Sequence, residues 1–194
     1  MAVTVNASTS SGLVWSSDLT GSLQLQNNGT TKLTVDSTGA YGQLVSGTAI
    51  ATTSGTGNKE FTGIPSWVKR ITVVLNAVGT NGTAFMQIQV GAGSIATTGY
   101  TSTSMLLNNT SVTNTTSTTG FIFYPNTANL NRTGQYVLTN VSGNIWVCSG
   151  QSSYSTTQSS ITNGVITLGG VLDRVCIATS DTYNAGSVNI LYEG

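Results

Sequence analysis

Lys69-Arg70-Ile71-Thr72-Val73-Val74-Leu75-Asn76-Ala77-Val78-Gly79-Thr80-Asn81-Gly82-Thr83-Ala84-Phe85-Met86-Gln87-Ile88-Gln89-Val90 decides the fold class. Ile71, Val73 and Leu75 fall on one face of an extended chain, and so do Met86, Ile88 and Val90. A period of two marks a strand with one buried face. Two such runs on either side of Gly79-Thr80-Asn81-Gly82 predict a β-hairpin. Outward from it, further strands are predicted at Ser104–Leu107, Gly120–Tyr124, Gln135–Val141, Asn144–Ser149, Val165–Leu168, Val171–Thr179 and Ser187–Tyr192. Short strands separated by turns at regular spacing predict a β-sandwich or jelly roll. No window has helical periodicity with caps, and Pro65-Ser66-Trp67-Val68 allows one 3₁₀ turn at most.

The first 43 residues read differently. Leu23 and Leu25 alternate with polar residues, Asn27-Asn28-Gly29-Thr30 follows, and Leu33 and Val35 alternate again. This predicts a short hairpin with a thin apolar stripe, marginal when alone. Copies of itself are the simplest source of a partner surface. Residues 44–62 are small and polar and read as a connector, with an edge strand around Ala49–Thr52. The expected organisation is a stem or attachment module over 1–43, a connector over 44–62 and a sandwich head over 63–194.

Composition limits the chemistry. Of 194 residues, 12 are charged, none is His, and 75 are Ser, Thr or Asn. General acid–base work at neutral pH usually draws on His or a tuned carboxylate. The carboxylates are Asp18, Asp36, Glu60, Asp173, Asp181 and Glu193. A polysaccharide-cleaving site needs two of them about 5–10 Å apart. Asp173 and Asp181 are the pair that a hairpin could bring together, although Asp173-Arg174 reads equally as a local ion pair. No enzyme, no metal site and no cofactor are expected. Zero net charge and the absence of a basic run argue against nucleic acid. Neutrality also suits a part fixed in a large assembly better than a free monomer.

Cys148 and Cys176 lie within strand-like runs and outside any CxxC spacing. Buried reduced thiols are expected, with a disulfide as the alternative. Met1-Ala2-Val3-Thr4-Val5-Asn6 has neither a charged nor an apolar leader region, so no signal peptide is expected, and no run is long enough for a membrane helix.

Candidate contact residues follow from exposure and residue type. Asn108–Thr119 and Ser149–Asn163 read as long exposed loops, where ligand contact is expected, with plain polar surface as the alternative. Tyr100, Tyr124 and Tyr154 are candidate exposed rings for a ligand such as a sugar. Trp67 and Trp146, beside or within β-runs, are expected in the core. Leu13, Trp15, Leu23, Leu25, Leu33 and Val35 are candidate assembly contacts.

Three segments carry a resemblance. Gly12-Leu13-Val14, Asp18, Gly21-Ser22-Leu23, Asn28-Gly29-Thr30-Thr31 and Leu33-Thr34-Val35-Asp36 resemble the short shaft module of bacteriophage tail-fibre proteins. Phe61-Thr62-Gly63-Ile64-Pro65-Ser66-Trp67-Val68-Lys69-Arg70-Ile71-Thr72 and Asp181-Thr182-Tyr183-Asn184-Ala185-Gly186-Ser187-Val188-Asn189-Ile190-Leu191-Tyr192-Glu193 resemble the opening and closing strands of a β-domain that recurs at the ends of phage and prophage fibres. The resemblance implies a non-enzymatic virion surface protein made in the host cytoplasm: a homotrimer with an N-terminal stem and a β-sandwich head. Its implied partners are its own copies, a tail or major capsid protein, and a glycan or protein of the host surface. Fibres usually begin with a sizeable anchor, whereas the shaft-like segment here starts almost at Met1, so residues 1–43 are expected to be the anchor themselves, or the chain a separate tip or a part seated on the capsid. A capsid decoration or cement protein is therefore the alternative, and a polysaccharide-cleaving spike a more distant one.

Overall fold

The computed structural model describes residues 23–27, 30–36, 39–42, 44–124 and 127–194. These divide into two compact units, residues 1–43 and 44–194. All regular structure among the described residues is β, and every pairing is antiparallel.

The first unit holds a meander of β1 (Leu23–Asn27), β2 (Thr30–Asp36) and β3 (Gly39–Gly42). Leu23 pairs with Val35 and Leu25 with Leu33, and a register shift follows Leu25. The sequence shows the β1–β2 pairing but not β3, whose residues Gly39-Ala40-Tyr41-Gly42 carry no apolar alternation.

The second unit is a sandwich of two unequal sheets. Its strands are β4 (Val45–Ser46), β5 (Ile50–Ala51), β6 (Lys59–Thr62), β7 (Arg70–Thr80), β8 (Met86–Ala92), β9 (Ser94–Ile95), β10 (Thr101–Asn108), β11 (Val112–Ser117), β12 (Phe121–Phe123), β13 (Arg132–Ser142), β14 (Ile145–Ser153), β15 (Gln158–Thr167), β16 (Arg174–Ala178) and β17 (Tyr183–Glu193). The larger sheet runs β11-β10-β15-β14-β13-β7-β17-β4, with β5 also on β17. The smaller runs β12-β8-β16-β6, with β9 on β8. Residues 44–62 are therefore not a connector. They place β4 and β5 on the edge of the larger sheet and β6 on the edge of the smaller. Buried Thr52 fixes them, with its N–H donating to Gly186 O (2.9 Å) and its hydroxyl to Ala185 O (2.7 Å).

The alternation around residues 69–90 identifies the buried side chains. Ile71, Val73, Leu75, Met86, Ile88 and Val90 are all at most 1% exposed. The pairing differs from the expected hairpin. β7 lies between β13 and β17, whereas β8 belongs to the opposite sheet. Both edges of β7 are taken by eleven-residue strands that match its own length. The Asn81–Phe85 segment thus crosses the sandwich, held by Asp181, whose carboxylate accepts from the Ala84 N–H (2.8 Å) and the Thr80 hydroxyl (3.5 Å).

The two expected loops are also strands. Val112–Ser117 forms an edge hairpin with β10, and Ser149–Asn163 is mostly the β14–β15 pair around a short turn. Their alternation is real but chemically faint, because the inward positions are hydroxyls. Ser102, Ser104, Ser152, Ser160 and Thr162 are all buried on the inner face of the larger sheet. Beside them the core is apolar and joins both sheets. Phe123 stacks on Tyr136 at 4.5 Å between centroids, and Tyr100 meets Phe121 edge-on at 5.1 Å.

The buried hydroxyls have defined partners. β12 is the edge of the smaller sheet, and the backbone of Ile122 points away from β8. Its N–H donates to Ser102 Oγ (3.1 Å), and its C=O accepts from Thr162 Oγ1 (2.8 Å). Thr162 also hydrogen-bonds Ser104 (2.9 Å). A second chain links Tyr136, Ser152 and Ser160 at 2.8 and 3.1 Å. A buried polar group without a partner costs about 1–3 kcal/mol, so these hydroxyls close an edge that would otherwise be costly.

At the bulge of β17, Gly186 has φ +87°, and a Cβ there would strike the carbonyls of Asn76 and Ala77. Only glycine fits.

Replacing Thr162 with the near-isosteric Val removes the donor to Ile122 O. We expect a loss of about 1–3 kcal/mol, read as a lower urea midpoint with unchanged slope. Thr167→Val, at an exposed position of the same strand, should stay within about 0.5 kcal/mol of the parent.

Candidate functional site

The outward face of the larger sheet carries the candidate contact surface. Strand registers set Met105, Ile161, Gln151, Gln135 and Val74 in one row across β10, β15, β14, β13 and β7. Two shallow depressions open here and share Gln135 and Gln151. One, of about 370 Å³, is lined by Val74, Thr133, Gly134, Gln135, Gln151, Ser153 and Ser159, among others. The other, of about 270 Å³, adds Val137, Ser149 and Ile161. Gly134 lets β13 and β14 come close, since a Cβ there would meet Gln151 O and Ser152 Cα. The lining offers amides and hydroxyls and no ionisable group, so it suits hydrogen bonding to neutral groups.

Next to this surface, the β14–β15 turn carries Tyr154. The Arg132 guanidinium lies 5.8 Å from the centre of its ring. Arg132 is only 2% exposed. Burial pulls its pKa down, while Tyr136 and Tyr154 push it up. Burial pushes Tyr154 up to about 12; Arg132 opposes this, and Tyr136 and Tyr124 add to it. Tyr124 and Tyr154 are thus half-buried neighbours at one end of the sandwich.

Tyr100 does not belong with them. It is 2% exposed, and its hydroxyl accepts from Val90 N (2.8 Å) and lies 3.2 Å from Val90 O and 3.1 Å from Ala96 O. It is a core residue that ties β8 to the segment after β9. Its position at a strand start, flanked by Gly99 and Thr101, makes it look exposed in the sequence. Trp67 departs in the other direction. It is 50% exposed in the turn closed by Val68 N–H to Pro65 O (3.1 Å), and Val68 takes the core position. Trp146 is buried, as expected.

Of the candidate assembly residues, Leu13 and Trp15 lie outside the described residues. Leu25 is 52% exposed, Leu33 is half-buried, and Leu23 and Val35 pair across β1 and β2. Sequence reasoning missed Arg132, Gln135 and Gln151. The alternating Thr133, Gln135 and Val137 within a β-run were the available signal.

The carboxylates considered for sugar chemistry are far apart. Asp173 accepts from Gly93 N–H (3.1 Å) beyond one end of β8, and Asp181 accepts from Ala84 N–H beyond the other. The length of β8 sets them about 20 Å apart, against the roughly 5–10 Å of a glycosidase pair. Asp173 also accepts from Arg174 Nε (2.8 Å) and Nη2 (3.2 Å), and this contact with Arg174 holds its pKa below the ordinary value. Arg174 extends the contact to Glu60 at 3.2 Å. Among the described residues, no three His, Cys, Asp or Glu side chains converge on a metal-sized site.

Cys148 and Cys176 are both buried and unpaired with each other. Burial raises both thiols, Cys176 to about 12 with a contribution from Glu60. Comparison of the chain with protein-family models, curated proteins and solved structures finds no match.

Two measurements check these environments. Neither thiol should react with a neutral aromatic disulfide at pH 8 in the native state, and both should react in denaturant, because the attacking thiolate is absent when the pKa is this high. Stability should fall as pH rises above about 10. Burial raises Tyr100 to about 12, and raises Tyr136 and Tyr183 as well. The unfolded chain then releases phenolic protons that the folded chain keeps, at about 1.4 kcal/mol per pH unit for each tyrosine. Urea titrations at pH 9, 10 and 11 read this slope.

Proposed function

We propose that the protein is a non-enzymatic structural component of a bacteriophage virion, a homotrimeric fibre or spike at the particle surface that contributes to host attachment. One observation carries the reading: a small three-stranded unit precedes a sandwich whose broad sheet turns outward a face of amides, hydroxyls and scattered aliphatics. The resemblance of the shaft-like segment and of the two framing strands to phage fibres supports it. The distance between Asp173 and Asp181 removes the one carboxylate pair considered for polysaccharide cleavage.

Attachment would use the end of the sandwich around Tyr124 and Tyr154 and the outward face of β13 beside it, at Thr133 and Gln135. An uncharged surface of this kind favours a neutral glycan or an uncharged protein patch over an acidic polysaccharide. Attachment to the particle is assigned to residues 1–43, with a tail or major capsid protein as partner.

The purified protein should sediment at about 60 kDa, three times the 19.9 kDa chain. Virions lacking it should adsorb poorly to host cells, and labelled protein should appear at the tail in a few to tens of copies. Hundreds of copies on the head, with normal adsorption and heat-labile particles, would replace this reading with capsid cementing.

A further inference from the structure

The charges of this chain are unevenly placed. Between Arg70 and Asp173 the only charged residue is Arg132, and it is buried. The strands from β8 to β15 therefore show no formal charge to solvent. The other charges of the sandwich lie on or next to β6, β7, β16 and β17, and five of them pair: Glu60 and Asp173 with Arg174, and Arg70 with Glu193 at 3.2 Å. Ordinary soluble surfaces carry about a quarter to a third charged residues with both signs interspersed. Interface centres are depleted in Lys, Glu and Asp.

The uncharged side also exposes aliphatic groups. Val147 and Val165 stand directly opposite each other, each 37% exposed, and Met105 and Leu107 are each 36% exposed. Val112 is 62% exposed beside Leu107, and half-buried Ile161 lies beside Met105. Four strands about 4.8 Å apart and some eight residues long present about 500 Å² in plan. That reaches the lower limit for a specific interface, about 1,000 Å² summed over both partners, and falls short of the standard of about 800 Å² each.

The edges give an independent indication. Sheet edges are normally guarded against pairing with another chain. β12 is closed by Ser102 and Thr162, β6 has four residues and carries Lys59 and Glu60, and β4 and β5 have two residues each. β11 has none of these guards. Its six residues, Val112-Thr113-Asn114-Thr115-Thr116-Ser117, hold no charge and no proline and keep unbroken register with β10. The unguarded edge thus borders the uncharged face.

We infer that the outward face of β11, β10, β15 and β14 is the surface on which copies of this chain meet. This rests on the trimeric reading above and assigns the contact. A second copy fits because a neutral patch has no charge to repel its like, and a chain of zero net charge offers a different partner no electrostatic attraction. Tyr124, after β12, and Tyr154, in the β14–β15 turn, are not among the residues of this face.

The test introduces like charges within the contact. Val165→Glu and Val147→Lys are made separately in the full chain, with Thr62→Glu on the opposite sheet as control, and each is checked for β-type circular dichroism. Sedimentation across a concentration series should show assembly at least about tenfold weaker for either face variant and unchanged for the control. Hydrogen exchange of the β11 amides should slow in the assembled form. If either face variant folds and assembles like the parent, the face assignment is overturned while the trimer stands. If the parent itself is a monomer at micromolar concentration, the trimeric reading fails and this inference with it. If assembly is unaffected but binding to host cells is lost, the face belongs to a different molecule and the inference is overturned.

Discussion

The sandwich depends on the hydrogen bonds that close the edge of β12. A three-residue strand at the margin of the smaller sheet leaves one amide and one carbonyl facing inward, where water does not compete. Ser102 and Thr162 on the facing sheet supply the missing acceptor and donor. Phe121 and Phe123, on either side of Ile122, then bury their rings against Tyr100 and Tyr136. Replacing the two hydroxyls by aliphatic groups would add apolar area while leaving both backbone groups unpaired, a poor exchange when each costs about 1–3 kcal/mol. The hydroxyl-rich composition is thus partly an interior feature and not only a coating.

This explains what the sequence reveals and what it conceals. Where the inward positions are aliphatic, as at Ile71, Val73 and Leu75, the period of two identifies the buried face correctly. Where they are Ser or Thr, as along β14 and β15, the same alternation carries no hydropathy contrast and the strands resemble loops. Pairing is a separate question, because side-chain period says which way a residue points and not which strand lies beside it. The β7–β8 connection has hairpin spacing, yet the neighbours of β7 come from much later in the chain. The candidate surface was partly legible for similar reasons. Tyr124 and Tyr154 lie where an exposed ring was sought, though only half-open, while Tyr100 is consumed by the backbone of Val90 and Ala96. Gln135 and Gln151 gain meaning only when the register sets them side by side.

The scarcity of charge acquires a spatial meaning from the fold. A count of 12 charged residues says little about arrangement. In the sandwich, five of the described charges pair with one another on or beside β6, β7, β16 and β17, and the outward face of β11, β10, β15 and β14 depends on amides, hydroxyls and a few aliphatic groups. Such a division makes the two ends of the larger sheet unequal toward water.

The position of β7 has a consequence for biosynthesis. Arg70 pairs with Thr139 on one side and with Glu193 on the other, so β7 cannot complete its second pairing until the ribosome has moved 123 residues beyond Arg70. At roughly 5–20 residues per second, that interval lasts about 6–25 s, during which at least one edge of β7 is open. Non-local pairing of this kind also slows the final closure. Because the inward side chains of β7 are Ile71, Val73 and Leu75, the strand that waits is an apolar one with an unpaired edge, the kind most prone to pair with another chain.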